Sequence, residues 1–110
     1  SGYQEEFYQL SREADTAYKT MKVYEDLGQV AELEQYAESH KGLLQNRPIL
    51  QNIKKQLNSL YNQSLKIEGD KDLSPIEKRK SIDEINQQRN LILNQVHKMR
   101  KSILGKEENE

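Results

Sequence analysis

Tyr3, Phe7, Leu10, Ala14, Ala17, Met21 and Tyr24 follow one another at intervals of four, three, four, three, four and three residues. Steps alternating in this way keep one stripe of an α-helix facing a partner. The alternation returns in Leu50, Ile53, Leu57, Leu60, Ser64 and Ile67, and again in Ile82, Ile85, Arg89, Ile92, Val96, Met99 and Ile103. Three long stripes of this kind predict an all-α fold. The expected architecture is an antiparallel helical bundle of three main helices plus one short helix, dominated by a long C-terminal hairpin.

Local signals place the boundaries. The first helix should cover about residues 3–27 and end at Gly28, which takes a left-handed conformation without a side-chain clash. A short second helix, about 29–40, uses Val30, Leu33, Tyr36 and Ala37, with Gly42 as the next breaker. Pro48 restricts Arg47 and suits a first helical position, so the third helix is expected over about 48–67. After the polar turn Glu68-Gly69-Asp70-Lys71-Asp72, Ser74 and Glu77 form a capping box with Pro75 between them. The fourth helix should then run over about 75–104, roughly 45 Å, before a disordered tail at 105–110. Residues 3–104 read as one domain, and Ser1-Gly2 as a cleavage scar, which leaves room for a longer natural chain.

With so short a turn, the third and fourth helices must be antiparallel neighbours. Matching outward from the turn sets Ile67 near Ile76, Leu60 near Ile82, Leu57 near Ile85 and Leu50 near Ile92. Arg89 falls on that seam, with its stem among apolar neighbours and its guanidinium in search of a carboxylate or water. Tyr3 and Tyr24 lie on the first stripe and are expected in the core. Tyr8 and Tyr18 lie off it, where they could pack on the second helix or mark a protein interface.

Composition narrows the function classes. Leu, Ile, Val and Phe make up 25 of 110 residues, enough for a folded but thin core, and 32% of residues are charged, which favours an elongated object. Without cysteine there can be no disulfide or thiolate metal site. No apolar run approaches the length of a membrane span and no charged-then-apolar leader is present, so a soluble chain is expected. Residues 1–42 hold 4 basic and 9 acidic side chains, a net of −5, against 13 and 9, a net of +4, in residues 43–110. Halves so charged could attract each other or a partner.

The residues offer little chemistry. His40 and His97 are 57 positions apart, and no nucleophile-elbow turn surrounds a serine. Adjacent acids such as Asp83-Glu84 point to different parts of a helix surface, and Gly28, Gly42, Gly69 and Gly105 are isolated rather than clustered for phosphate. No catalytic residue, metal ligand or cofactor is therefore assigned. Basic residues are the remaining polar signal: Lys78, Arg79 and Lys80 open the fourth helix and Lys98, Arg100 and Lys101 close it. They could contact phosphates, or form a solvated face, the closing group being favoured by the helix dipole. That helix has no aromatic on which a single-stranded base could stack.

The run FYQLSREADTAYKTMKVYEDLGQVAELEQYAESHKGLL, a helix, and then DLSPIEKRKSIDEINQQRNLI resemble the helical C-terminal region of large polyvalent phage and mobile-element proteins. The matching residues are Phe7, Tyr8, Leu10, Ala17, Tyr18, Gly28, Tyr36, Ala37, Glu38 and the phrase Leu73 to Arg79, with Ile76 in its variable place. Asn46-Arg47-Pro48 departs from the pattern by interrupting a stretch that in that family reads as uninterrupted helix. The resemblance implies a non-catalytic structural or assembly module of a virion or ejection protein, found in the virion or the host cytoplasm. Its partners would be other parts of the parent chain, other virion proteins or further copies of itself. Two alternatives stay open: a nucleic-acid-binding accessory segment using the six basic residues, and a coiled-coil adaptor of a secretion or effector system.

Overall fold

Residues 2–105 are described by a computed structural model. Four helices follow in order: α1 (Gly2–Asp26), α2 (Val30–Ser39), α3 (Lys41–Glu68) and α4 (Pro75–Leu104). They form the all-α antiparallel bundle that the stripes predict. Gly28 breaks the chain after α1 with φ of 69°, the left-handed region that costs glycine nothing. At the start of α4, Ser74 Oγ accepts from the Glu77 amide at 3.2 Å and Glu77 Oε1 accepts from the Ser74 amide at 3.0 Å, completing the capping box. Gly105 closes α4 with φ of 74°. The tail expected beyond it falls at residues 106–110, outside the described residues.

The third helix corrects the sequence reading. It begins at Lys41 rather than near residue 48, so Gly42 and Pro48 both lie inside it. His40 alone separates α2 from α3. Pro48 is exposed and comes early in the helix, where it leaves the Leu44 carbonyl without its usual amide donor and does not end the helix. Gly42 does not break the chain; it lets α3 approach α4. A methyl group there would meet the Ile103 carbonyl oxygen far inside van der Waals distance, and would lie 2.9 Å from the Ser102 carbonyl oxygen.

Phe7, Leu10, Ala14 and Ala17 of α1 bury against Leu43, Leu50 and Leu57 of α3 and Leu93, Val96 and Ile103 of α4. Each large side chain among them contributes roughly 1.5 to 3 kcal/mol gross. The exposed ion pair of Lys22 with Glu25, at 3.2 Å, adds little by comparison. Several stripe assignments shift, among them Met99 of α4, which is 37% exposed. Leu93 takes the fully buried place expected for Ile92, which is half-buried beside it. Ile76 is 82% exposed instead of meeting Ile67, because the capped first turn of α4 directs it outward. Tyr3 is 43% exposed and stacks on the His97 ring at 4.1 Å instead of entering the core. Tyr24 is half-buried against Tyr36, with ring centroids 5.8 Å apart.

The radius of gyration is 18.5 Å, against about 13 Å for a compact domain of this length. Cα extents of 61 × 35 × 16 Å explain why. Two helix layers packed 8–10 Å apart fill the short dimension, and the 25-residue α1, at about 1.5 Å per residue, is long enough to span the middle one. α1 therefore crosses the α3–α4 hairpin. Its first turns meet α4, where Arg89 donates to Gln4 Oε1 and Glu6 binds His97 at 2.8 Å and Arg100 at 3.4 Å. Its middle meets α3, where Arg47 Nε donates to Asp15 at 2.9 Å and the guanidinium lies 4.0 Å over the Tyr18 ring. Only the open end of the hairpin lies under α1.

Candidate functional site

The stripe of α3 beneath α1 does not stop where α1 stops. Ser11, Ala14 and Asp15 of α1 face Arg47, Leu50, Gln51 and Lys54, and the same side of the helix continues at helical spacing through Asn58, Tyr61 and Leu65. Tyr61 is 63% and Leu65 47% exposed. On α4 the α1-facing positions Leu93 and Arg89 continue toward the turn as Asn86, Ile82, Arg79 and Pro75. The outer arm of the hairpin, about residues 55–88, thus carries an uncovered extension of the face on which α1 sits. Inside the arm Leu57, Leu60 and Ile85 are buried between the two helices, and Leu60 and Ile85 lie apart from the main core cluster.

The basic residues separate into engaged and exposed sets. Lys78 Nζ donates to the Glu68 carbonyl oxygen at 2.9 Å. A cation at the start of α4 is thereby explained as a cap on the C-terminus of α3, where partial negative charge collects. Arg100 is paired with Glu6, and Lys101 lies in the last turn of α4. Arg79, Lys80 and Lys98 are exposed. Lys80 and Lys98 share one side of α4, since 18 residues make five turns, about 27 Å. The stripe joining them reads Lys80, Glu84, Gln87, Leu91, Asn94, Lys98, so an acid and two amides interrupt the positive field.

Tyr8 and Tyr18 are both occupied within the bundle. Tyr8 meets Phe7 edge-on at 5.3 Å between ring centroids and packs against the core. Tyr18 lies under the Arg47 guanidinium, with Lys22 Nζ 5.8 Å from its ring. A hydrogen bond to Glu25, reinforced by that carboxylate's charge and by Tyr18, holds the Lys22 ammonium above its usual pKa. His40 stacks on Tyr36 at 4.0 Å and its Nδ1 is 3.1 Å from the Tyr36 carbonyl oxygen, as befits the junction between two helices.

A second exposed apolar cluster lies at the elbow between α1 and α2. Val23, Leu27 and Val30 are all exposed there, and the segment 23–39 holds Glu25, Asp26, Glu32, Glu34 and Glu38 with no lysine or arginine. An open groove of about 760 Å³ beside the start of α1 is lined by Gly2, Tyr3, Gln87, Asn90, Leu91, Leu93 and Asn94. Amides and apolar groups suit contact and hydrogen bonding, and the lining supplies no acid–base pair. Among the described residues no group of three or more histidines and acids is placed to hold a metal ion. No helix among them is long and apolar enough to cross a membrane.

The chain matches no protein-family model, no curated protein and no solved structure. Tyr61 and Leu65 are the residues that the stripe analysis missed. Their signal was present, as apolar residues four apart on α3 but displaced from the seam that ends at Ile67. It acquires meaning only once α1 is known to cross the hairpin instead of running along it.

Proposed function

We propose that this chain is a non-catalytic structural or assembly module that acts through helix–helix protein contacts, in the manner expected of a large phage virion or ejection protein. The observation that carries the contact role is the hairpin arm, whose α1-side face continues past α1 with Tyr61 and Leu65 exposed. An exposed tyrosine suits a contact surface: the ring gives large area at low entropic cost and its hydroxyl stays hydrated. The phage-type setting rests on the sequence resemblance of residues 7–95. Two assays test the proposal. The purified chain should turn over none of a broad panel of hydrolase, transferase and nuclease substrates. It should also show no binding to random-sequence duplex at low salt. Duplex binding that falls steeply as salt rises would instead assign the role to Arg79, Lys80 and Lys98.

A further inference from the structure

We infer that His40 is a hinge through which two copies of this chain exchange α1: with α2 and α3 straightened into one helix, each copy's α1 docks on the other copy's hairpin. The three junctions between helices differ in a way that singles this one out. Leu27, Gly28 and Gln29 separate α1 from α2, with Gly28 held at φ of 69°, outside the range of a right-handed helix. Residues 69–74 separate α3 from α4, which opens on a capping box and on Pro75, a residue with no amide to give a preceding turn. Between α2 and α3 only His40 departs from helical geometry, at φ of −117° and ψ of 27°.

Helical hydrogen bonding already reaches that residue from both sides. The His40 amide donates to the Tyr36 carbonyl oxygen at 3.0 Å, and the His40 carbonyl oxygen accepts from the Leu44 amide at 3.0 Å, each the four-residue step of an α-helix. The amides between them, of Lys41, Gly42 and Leu43, open α3 with no acceptor in a preceding turn, and His40 gives them no side-chain cap. The carbonyls of Ala37, Glu38 and Ser39, four residues earlier in each case, close α2 in the same condition. Rotating the one bent residue into the helical region joins these donors to these acceptors. The product is a continuous helix from Val30 to Glu68, about 58 Å at 1.5 Å per residue.

The two sides of the hinge are held unequally. α2 has no buried side chain, and Tyr36, set against Tyr24 and the edge of the core, is its main hold. α3 is fixed at its first turn, where Gly42 lies against Ile103 of α4, so α2 is the side that moves. The three-residue turn ties α1 to α2, so straightening draws α1 off its own hairpin and uncovers the stripe of Phe7, Leu10, Ala14 and Ala17. That stripe, with Gln4 matched to Arg89, Glu6 to His97 and Arg100, and Asp15 to Arg47, fits one surface, the seat of α1 on the hairpin. In the straightened form the seat within reach belongs to a second copy. Each copy supplies one α1 and one seat, which closes the pair. Every contact between α1 and a hairpin is kept, the helix hydrogen bonds at the junction are added, and a short hinge of this kind is what invites exchange.

The test is refolding from urea over a wide range of chain concentration, read by sedimentation velocity and native mass spectrometry, with far-UV circular dichroism as the check on folding. The parent should give monomer when refolded dilute and a growing share of dimer when refolded concentrated. Asp15→Arg and Arg47→Asp alter partly exposed side chains, so each should stay helical, and each sets like charges together at the seat of α1. Refolded together one to one, they should form mixed dimers with an association constant about tenfold above that of either variant alone, because exchange restores an opposite pair at both seats. A dimer built through any other surface leaves each mismatch inside its own chain and shows no preference for the mixed pair. The parent with two glycines inserted after His40 should fold and stay monomeric, since the longer turn closes without strain and does not propagate a helix. Monomers alone at every concentration overturn the inference. So do dimers with no preference for the mixed pair, or a glycine-inserted chain that dimerises like the parent. The exchange does not use the open face of the hairpin arm, so a negative result leaves the assembly-module reading to the substrate and duplex assays.

Discussion

Gly42 and Ser11 are two positions where the identity of one side chain decides a local contact. Gly42 puts the backbone of α3 against that of α4 at Ile103, so Gly42→Ala must push the helix ends apart. The expected loss is about 1 to 3 kcal/mol, the range for overpacking a tight site, seen as a lower urea midpoint with helicity retained. From sequence Gly42 looked like a helix breaker. Its lack of a side chain serves close approach equally well, and spacing cannot tell the two uses apart. Ser11 Oγ is buried in α1 without a hydrogen-bond partner, and serine is a weaker helix former than alanine. Ser11→Ala should therefore raise stability by roughly 0.5 to 1 kcal/mol, measured as a higher thermal midpoint. A fall in the midpoint would mean that the hydroxyl is satisfied.

Among the elements, α4 was the most legible. Ser74, Pro75 and Glu77 announce its start through interactions confined to one turn, and the structure reproduces them. Removing the cap with Ser74→Ala should cost about 1 kcal/mol. The backbone and side-chain hydrogen bonds of Ser74 hold the Glu77 carboxyl below its ordinary pKa of 4.5. Its contribution is therefore complete above the unfolded carboxylate value and is lost as pH falls through the lower, folded one. Between neutral pH and about pH 5, set by that unfolded value, the stability difference between Glu77→Gln and the parent should stay constant. It should shrink on acidification below pH 4. A difference independent of pH would remove Glu77 from the cap. α3 was less legible, because Pro48 is compatible with two readings. At the first helical position it is favourable; further in it removes one hydrogen bond, and the packing of Leu43 and Leu50 around it overrides that loss. Pro48→Ala, at an exposed site inside a continuous helix, should raise stability by about 1 to 3 kcal/mol. A decrease would show that the proline is needed to shape the α2–α3 junction.

At the scale of the whole molecule, burial is uneven along the hairpin. The base, as far as Leu57, shares its core with α1, whereas the arm beyond it is closed by Leu60 and Ile85 between two helices. Opening free energies follow the density of buried contacts, so amide hydrogens near Leu60 and Ile85 should exchange faster than those near Leu50 and Leu93. Uniform protection along α3 in dilute solution would contradict this gradient. The number of helices, the ends marked by Gly28, Ser74 and Gly105, and the antiparallel hairpin could be read from the chain because periodicity and capping are local and are printed in consecutive residues. The same holds for the dry side of α4, where Ile85, Val96 and Ile103 fell as expected, though Leu93 displaced Ile92 once α1 approached from one side. The crossing of α1 over the hairpin was not legible. It depends on how Gly42, Arg47 and Arg89 let three rods meet, and no stripe specifies the angle between its helix and the next. That angle decides that Tyr3 stays outside, that Tyr18 is covered by Arg47, and that Tyr61 and Leu65 are left facing solvent. Sequence alone determined which surfaces of each helix are apolar, because side-chain direction repeats with the backbone; which of those surfaces remain free was settled only by packing, because one helix can cover another only as far as its own length and crossing allow.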